Sequence, residues 1–318
     1  MTTQRLDETA KGVFIISATP FRDDGALDWD SVDRLTDFYL GAGVDGITVL
    51  GMMGEAPKLT REEQVCFVGR VLRRVDDRVP VVVGVSNPGL ANLVSLARES
   101  MDLGAAGVMI APAAGLKTEE QVYGYFAAVA EGLGTGVPLC YQDYPQSTGV
   151  FVSVPLLGRL IDTLPSLVML KHEDCPGLGK LSRLRDSETA EQRRRRISVL
   201  CGNGGLYLPQ ELARGADGAM TGFAYPEMLV GVYTRFARGD AAAAEDLFDV
   251  FLPLVRHEQQ PGFGLAVRKE ILRRRGVIAS AATRAPGPSL SPADHDELTR
   301  LLARLEQRMS GLDFNLAA

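Results

Sequence analysis

The chain has 318 residues, 46% hydrophobic and 23% charged, which is ordinary globular composition and leaves room for two domains or a single α/β barrel. A net charge of −6 argues against nucleic acid or an anionic membrane surface as a partner. No apolar run approaches the roughly 20 residues that cross a bilayer, so no membrane span is expected.

Met1 to Lys11 is polar and lacks a secretory core segment, so the expected compartment is cytoplasmic. Cys66, Cys140, Cys175 and Cys201 have no metal-ligand spacing and lie in or near apolar segments, as reduced, mostly buried thiols would. From Val13 onward, short apolar runs alternate with longer amphipathic ones. The runs are Val13–Ile16, Gly46–Leu50, Val81–Val83, Val108–Ile110, Val137–Tyr141, Leu167–Leu170, Ile197–Leu200 and Gly218–Met220. Each is too short for a helix and none alternates cleanly, as expected of parallel strands covered on both faces.

Helix signals fall between them. Trp29 to Ala42 carries Val32, Leu35, Phe38 and Tyr39 on one face. Thr60-Arg61-Glu62-Glu63 is a capping-box start, and Asn87-Pro88, Thr118-Glu119-Glu120 and Ser153-Val154-Pro155 open the next three helices. The basic run Arg193–Arg196 follows Asp186, Glu188 and Glu191 and reads as a solvated loop insertion. Strand–helix units repeating at roughly 30 residues predict a (β/α)8 TIM barrel over 1–222. Beyond Gly222 only helix signals appear, at Pro226–Arg238, Ala241–His257, Leu265–Arg275 and Pro292–Met309. They predict a C-terminal helical extension, 223–318, packed on the barrel.

A barrel carries its chemistry at the C-terminal ends of its strands. Those positions are Thr19, the Gly51-Met52-Met53-Gly54-Glu55 turn, Gln142 to Tyr144, Lys171 with Glu173, Gly202 to Gly205, and Thr221. Alternation puts Met169, Lys171 and Glu173 on one face, expected to point inward, with His172 opposite. A lysine deprived of water favours its neutral amine, which adds to a carbonyl to form a Schiff base. Glu173, one layer above, is placed to move a proton or simply to pair with the amine. The two glycine-rich turns offer backbone amides to a carboxylate. His257 and Glu258 lie on a helix after the barrel, and the lone histidine reads as structural. No His/Asp/Glu cluster has ligand spacing, so neither a metal nor a cofactor is expected.

These residues resemble the dihydrodipicolinate synthase / N-acetylneuraminate lyase family of class I aldolase-type barrels. The matching pieces are Ala18-Thr19-Pro20-Phe21, Gly51-x-x-Gly54-Glu55, Pro145-x-x-Thr148-Gly149 and Lys171, with spacing that fits from about Lys11 to Arg308. The resemblance implies a Schiff base between Lys171 and a 2-oxo acid such as pyruvate, and a homo-oligomer, tetramer or dimer. The synthases carry two threonines where this chain has Met52 and Met53, and a tyrosine at Gln142. Their carboxylate-gripping arginine falls at Ser147, and the tyrosine lent by a neighbouring subunit near Ala113-Ala114. Tyr141, one residue early, should face the helices. A thioether or an amide does not relay protons as a hydroxyl does, so dihydrodipicolinate synthesis proper is disfavoured.

The chain is more similar to the 2-keto-3-deoxy sugar-acid dehydratases, including L-2-keto-3-deoxyarabonate dehydratase. That similarity lies in Gln142-Asp143-x-Pro145, Lys171-x-Glu173-x-x-Pro176-Gly177, Gly218-Ala-Met-Thr221-Gly222, Leu254-x-x-His257-Glu258 and Arg273 to Ser280. It implies a lyase in which the Gly51–Glu55 turn holds a carboxylate, Lys171 forms the Schiff base and Glu173 takes a C3 proton. Gln142 and Tyr144 would orient the tail hydroxyls. An aldolase using the same lysine, and a barrel that binds a 2-oxo acid without turnover, are the competing expectations.

Overall fold

A computed structural model describes residues 4–188 and 194–310. Arg193 of the basic run, Met1 to Thr3 and positions 311–318 lie outside them. Eight parallel strands close into a barrel in sequence order: β1 (Gly12–Ile16), β2 (Gly46–Val49), β3 (Val81–Gly84), β4 (Gly107–Ile110), β5 (Leu139–Asp143), β6 (Leu167–His172), β7 (Ser198–Cys201) and β8 (Gly218–Thr221). The predicted (β/α)8 fold is the observed one.

The helices are α1 (Trp29–Gly41), α2 (Arg61–Val75), α3 (Leu90–Asp102), α4 (Glu119–Leu133), α5 (Pro145–Thr148), α6 (Val154–Thr163), α7 (Leu178–Asp186), α8 (Leu208–Ala213), α9 (Pro226–Ala237), α10 (Ala241–Glu258), α11 (Gly264–Arg274) and α12 (Pro292–Ser310). Thr60 and Thr118 form complete capping boxes and Ser153 caps α6, as their spacing predicts. Asn87-Pro88 does not open α3, which starts after Gly89. Helix α9, counted above with the extension, packs beside β1 as the outer helix of the eighth βα unit.

Two cores follow from the alternation. Phe14, Ile16, Val82, Met109, Cys140, Met169, Leu200 and Met220 fill the barrel interior, and the outward residues pack against the helices. Tyr141 stacks on Phe126 with ring centroids 4.6 Å apart, on the helix side as expected. In β6 a bulge inserts Val168: Leu139 pairs with Leu167, but Cys140 pairs with Met169. Leu167 therefore faces the helices, while both Val168 and Met169 join the interior cluster. The extra residue resets the phase, so that Met169 and the odd positions above it point inward.

Two expectations need correction. Cys66 and Cys175 are exposed; only Cys140 and Cys201 are buried. The basic run is not simply solvated, because Arg195 donates from Nη2 to the carbonyls of Ile161, Leu164 and Leu167 at 2.9, 3.1 and 2.7 Å. Those carbonyls end α6 and start β6, where a cation satisfies orphaned acceptors.

Candidate active site

The strand ends open into a cleft of about 330 Å³ that contains Lys171 and Glu173. Both are nearly withdrawn from solvent, 5% and 6% exposed. Lys171 Nζ lies 3.1 Å from Glu173 Oε2. The same carboxylate oxygen accepts from Gln142 Nε2 at 2.7 Å, because Gln142 and Lys171 are register partners on adjacent strands. The Asn203 backbone N–H approaches Oε1 at 3.5 Å, and Asn203 Nδ2 donates to the Glu173 carbonyl at 3.1 Å. A Cβ at Gly202 would overlap the Glu173 side chain, so glycine there makes room for the carboxylate.

The predicted residues divide in two. Met52, Met53, Gln142, Tyr144, Lys171, Glu173 and Thr221 line the cleft. Thr19, Gly51 and Gly202 do not. Thr19 is fully buried and its hydroxyl donates to the Gly54 carbonyl at 2.6 Å, so it braces the strand-two turn and is not presented to a ligand. Gly202 lies beneath Glu173. Gln142 gives one of its two amide N–H groups to Glu173.

The strand-two turn is a single 3₁₀ turn, Met52–Gly54. It consumes the N–H groups of Gly54 and Glu55, which bond the carbonyls of Gly51 and Met52. The first amides of such a turn, here those of Met52 and Met53, have no acceptor within it. Glu55, buried in the left-handed region (φ 55°), turns away from the cleft. It accepts from Lys269 Nζ at 2.5 Å, from Lys58 Nζ at 2.8 Å and from the Arg284 backbone N–H at 2.9 Å. The turn is thereby fastened to α11 and to the segment that follows it.

Burial, with the Glu173 charge beside it, raises the Tyr144 phenol above its ordinary pKa. At neutral pH it is therefore a protonated donor. Behind the cleft, on the outer side of β5 and β6, a second polar layer holds Lys180 Nζ 2.6 Å from Asp143 Oδ2 and 3.0 Å from Asp174 Oδ2. His172 faces this layer, with Nδ1 3.7 Å from Asp143 Oδ2 and Nε2 3.1 Å from the Gly177 carbonyl. Burial opposes the charged form of His172, but the Asp143 hydrogen bond and charge prevail and raise its pKa.

The C-terminal helices also form part of the cleft wall, which the strand-end list did not anticipate. Glu258, the 259–265 segment and Arg268 close one side. Glu258 and Arg268 are both buried and joined at 2.5 Å, Oε1 to Nε. Glu258 borders the cleft, and its neighbour His257 does not line it. Among the described residues no group of three His, Cys, Asp or Glu is placed to hold a metal, and no helix is long and apolar enough to cross a membrane.

This architecture is shared with known proteins. The Dihydrodipicolinate synthetase family matches residues 9–307. An L-2-keto-3-deoxyarabonate dehydratase from Azospirillum brasilense is 31% identical over 301 residues, covering 93% of this chain and 94% of its own. A dihydrodipicolinate synthase structure from Rhodopseudomonas palustris is 48% identical with a TM-score of 0.92, covering 95% of this chain and 99% of its own. A prophage protein of the dihydrodipicolinic acid synthase family from E. coli K12, solved in complex with pyruvate, is 26% identical with a TM-score of 0.84. That match covers 93% of this chain and 98% of the other.

Proposed function

The chain belongs to the dihydrodipicolinate synthetase family, and on that premise we propose that it is a Schiff-base lyase that dehydrates a 2-keto-3-deoxy sugar acid. The observation that carries this reading is the buried Lys171–Glu173 pair, 3.1 Å apart at the floor of the cleft, with Gln142 fixing the carboxylate. The pyruvate held by the E. coli relative and the dehydratase from Azospirillum brasilense support the substrate class.

In this mechanism the Lys171 ammonium passes a proton to Glu173 and the neutral amine adds to the C2 carbonyl. Glu173 returns the proton to the carbinolamine hydroxyl, which leaves as water. The iminium acidifies C3, and Glu173, ionised again, takes a C3 proton to give the enamine. The enamine electrons then expel the C4 hydroxyl, which takes the proton from Glu173 and departs as a second water. Hydrolysis of the remaining imine consumes one water, so one water is lost overall. Tyr144, protonated and beside Glu173, donates to a tail hydroxyl. Met52 and Met53 contribute backbone amides to the substrate carboxylate.

The likeness to the Rhodopseudomonas palustris dihydrodipicolinate synthase favours a synthase as the second reading. Against it stand Met52, Met53 and Gln142 in place of the hydroxyl relay. Free thiols at four positions suit a reducing, cytoplasmic setting. The test is product analysis with 2-keto-3-deoxypentonates. A product that keeps every carbon and releases no pyruvate is expected. Release of pyruvate would instead make the enzyme an aldolase, and no turnover of any 2-oxo acid would leave a binding protein.

A further inference from the structure

The same cleft must neutralise the carboxylate of a 2-oxo acid, since burying that charge without a partner is costly. Thioethers at Met52 and Met53 donate no hydrogen bond. Among the described residues lining the cleft only two are cations, Lys171 and Arg268, and Lys171 is engaged by the keto carbon.

Arg268 is 1% exposed and held by two hydrogen bonds, Nε to Glu258 Oε1 at 2.5 Å and Nη2 to the Gly222 carbonyl at 2.6 Å. Its Nη1 is buried with no hydrogen-bond partner among the described residues. Such an orphan carries its desolvation penalty uncompensated, and in a native fold it calls for a reason. Glu258 does not fill that role: it sits on the Nε–Nη2 edge, and its Oε2 accepts from the Ala224 backbone N–H at 3.2 Å.

Nη1 is also well placed. A Cβ at Gly222 would overlap it and would lie 3.1 Å from the Ile16 carbonyl, while a Cβ at Gly51 would lie 3.4 Å from Ile16 Cγ2. The free guanidinium edge and the strand-two turn therefore flank one residue, Ile16, at the top of β1.

We propose that Arg268 receives the carboxylate of the 2-oxo acid, acting with the strand-two turn in place of the absent threonine hydroxyls. This deepens the lyase reading and rests on it for the identity of the acid. A charge-assisted bond to a carboxylate is roughly twice as strong as a neutral one, and Arg268 supplies it from a position already fixed by Glu258.

The test compares pyruvate with methyl pyruvate, which keeps the keto group and lacks the charge. Half-saturation for borohydride trapping on Lys171 is measured in wild type, Arg268→Lys and Gly222→Ala. The lysine keeps the charge but not the fork, and the alanine displaces Nη1 while keeping both acceptors, the Glu258 carboxylate and the residue-222 carbonyl. For pyruvate, half-saturation should rise roughly 10- to 100-fold in both variants. For methyl pyruvate it should stay within about twofold, which also reports an intact fold. Equal shifts for both ligands would mean a merely structural arginine, and no shift for either would overturn the assignment outright. If wild type gives no adduct, the lyase reading fails separately. Calorimetric pyruvate binding then decides on Arg268: weakening in both variants upholds the assignment, and unchanged binding ends it.

Discussion

At the scale of single residues, the candidate site turns on one carboxylate. Glu173 touches the amine of Lys171, the amide of Gln142 and the backbone of Asn203, with Gly202 making room beneath it. General acid–base groups so placed are worth roughly 10² to 10⁴ in rate. Glu173→Gln is therefore expected to lower turnover of the sugar acid by that factor, and a near-normal rate would remove Glu173 from the mechanism. Lys171 and Glu173 were legible in the sequence because strand-end position and two-residue alternation are local properties. The commitment of Gln142 to Glu173 was not, because it depends on the register of two strands 31 residues apart. Nor was Arg268, whose approach to Gly222 crosses 46 residues and follows no spacing rule.

At the scale of elements, two devices fix the cleft. One is the bulge at Val168, which sets the inward phase of β6; the sequence shows only a continuous apolar run there, and such a run does not reveal an extra residue. The other is the Glu55 clamp. Lys269 is fully buried, and burial draws its ammonium down to about 8 in spite of the Glu55 charge beside it. Removing one member of a buried pair strands the other, at about 3 kcal/mol or more. Lys269→Met should lower the urea midpoint accordingly, and an unchanged midpoint would show that Lys58 and the Arg284 amide suffice.

The layer behind β6 and β7 makes a further prediction. Burial raises the Glu211 carboxyl to about 7, against the pull of His172 and the Cys201 hydrogen bond. In an unfolded chain the same group ionises near 4.3. Between these values the folded state holds a proton that the unfolded state has lost, so stability falls as pH rises through the window, by on the order of 3 kcal/mol. Glu211→Gln should remove that slope. A wild-type-minus-variant difference in unfolding free energy that stays flat across the window would contradict the assignment.

At the scale of the whole molecule, the barrel was readable because eight β-rich runs and their helices each carry local signals. The part played by the C-terminal helices was not. Sequence places them after the barrel, but only packing folds the 259–265 segment and α11 back over its mouth. The cleft is thus built from both ends of the chain, and the strand-two turn hangs from α11 through Glu55 and Lys269. On the proposed function this assembly presents one nucleophilic amine, that of Lys171, to a 2-oxo acid. Borohydride reduction with pyruvate, followed by intact mass and peptide mapping, tests it directly. A single adduct, mapped to Lys171 and absent in Lys171→Ala, is expected; an adduct that persists in that variant, or none in wild type with any 2-oxo acid, would rule out Lys171 as the Schiff-base residue.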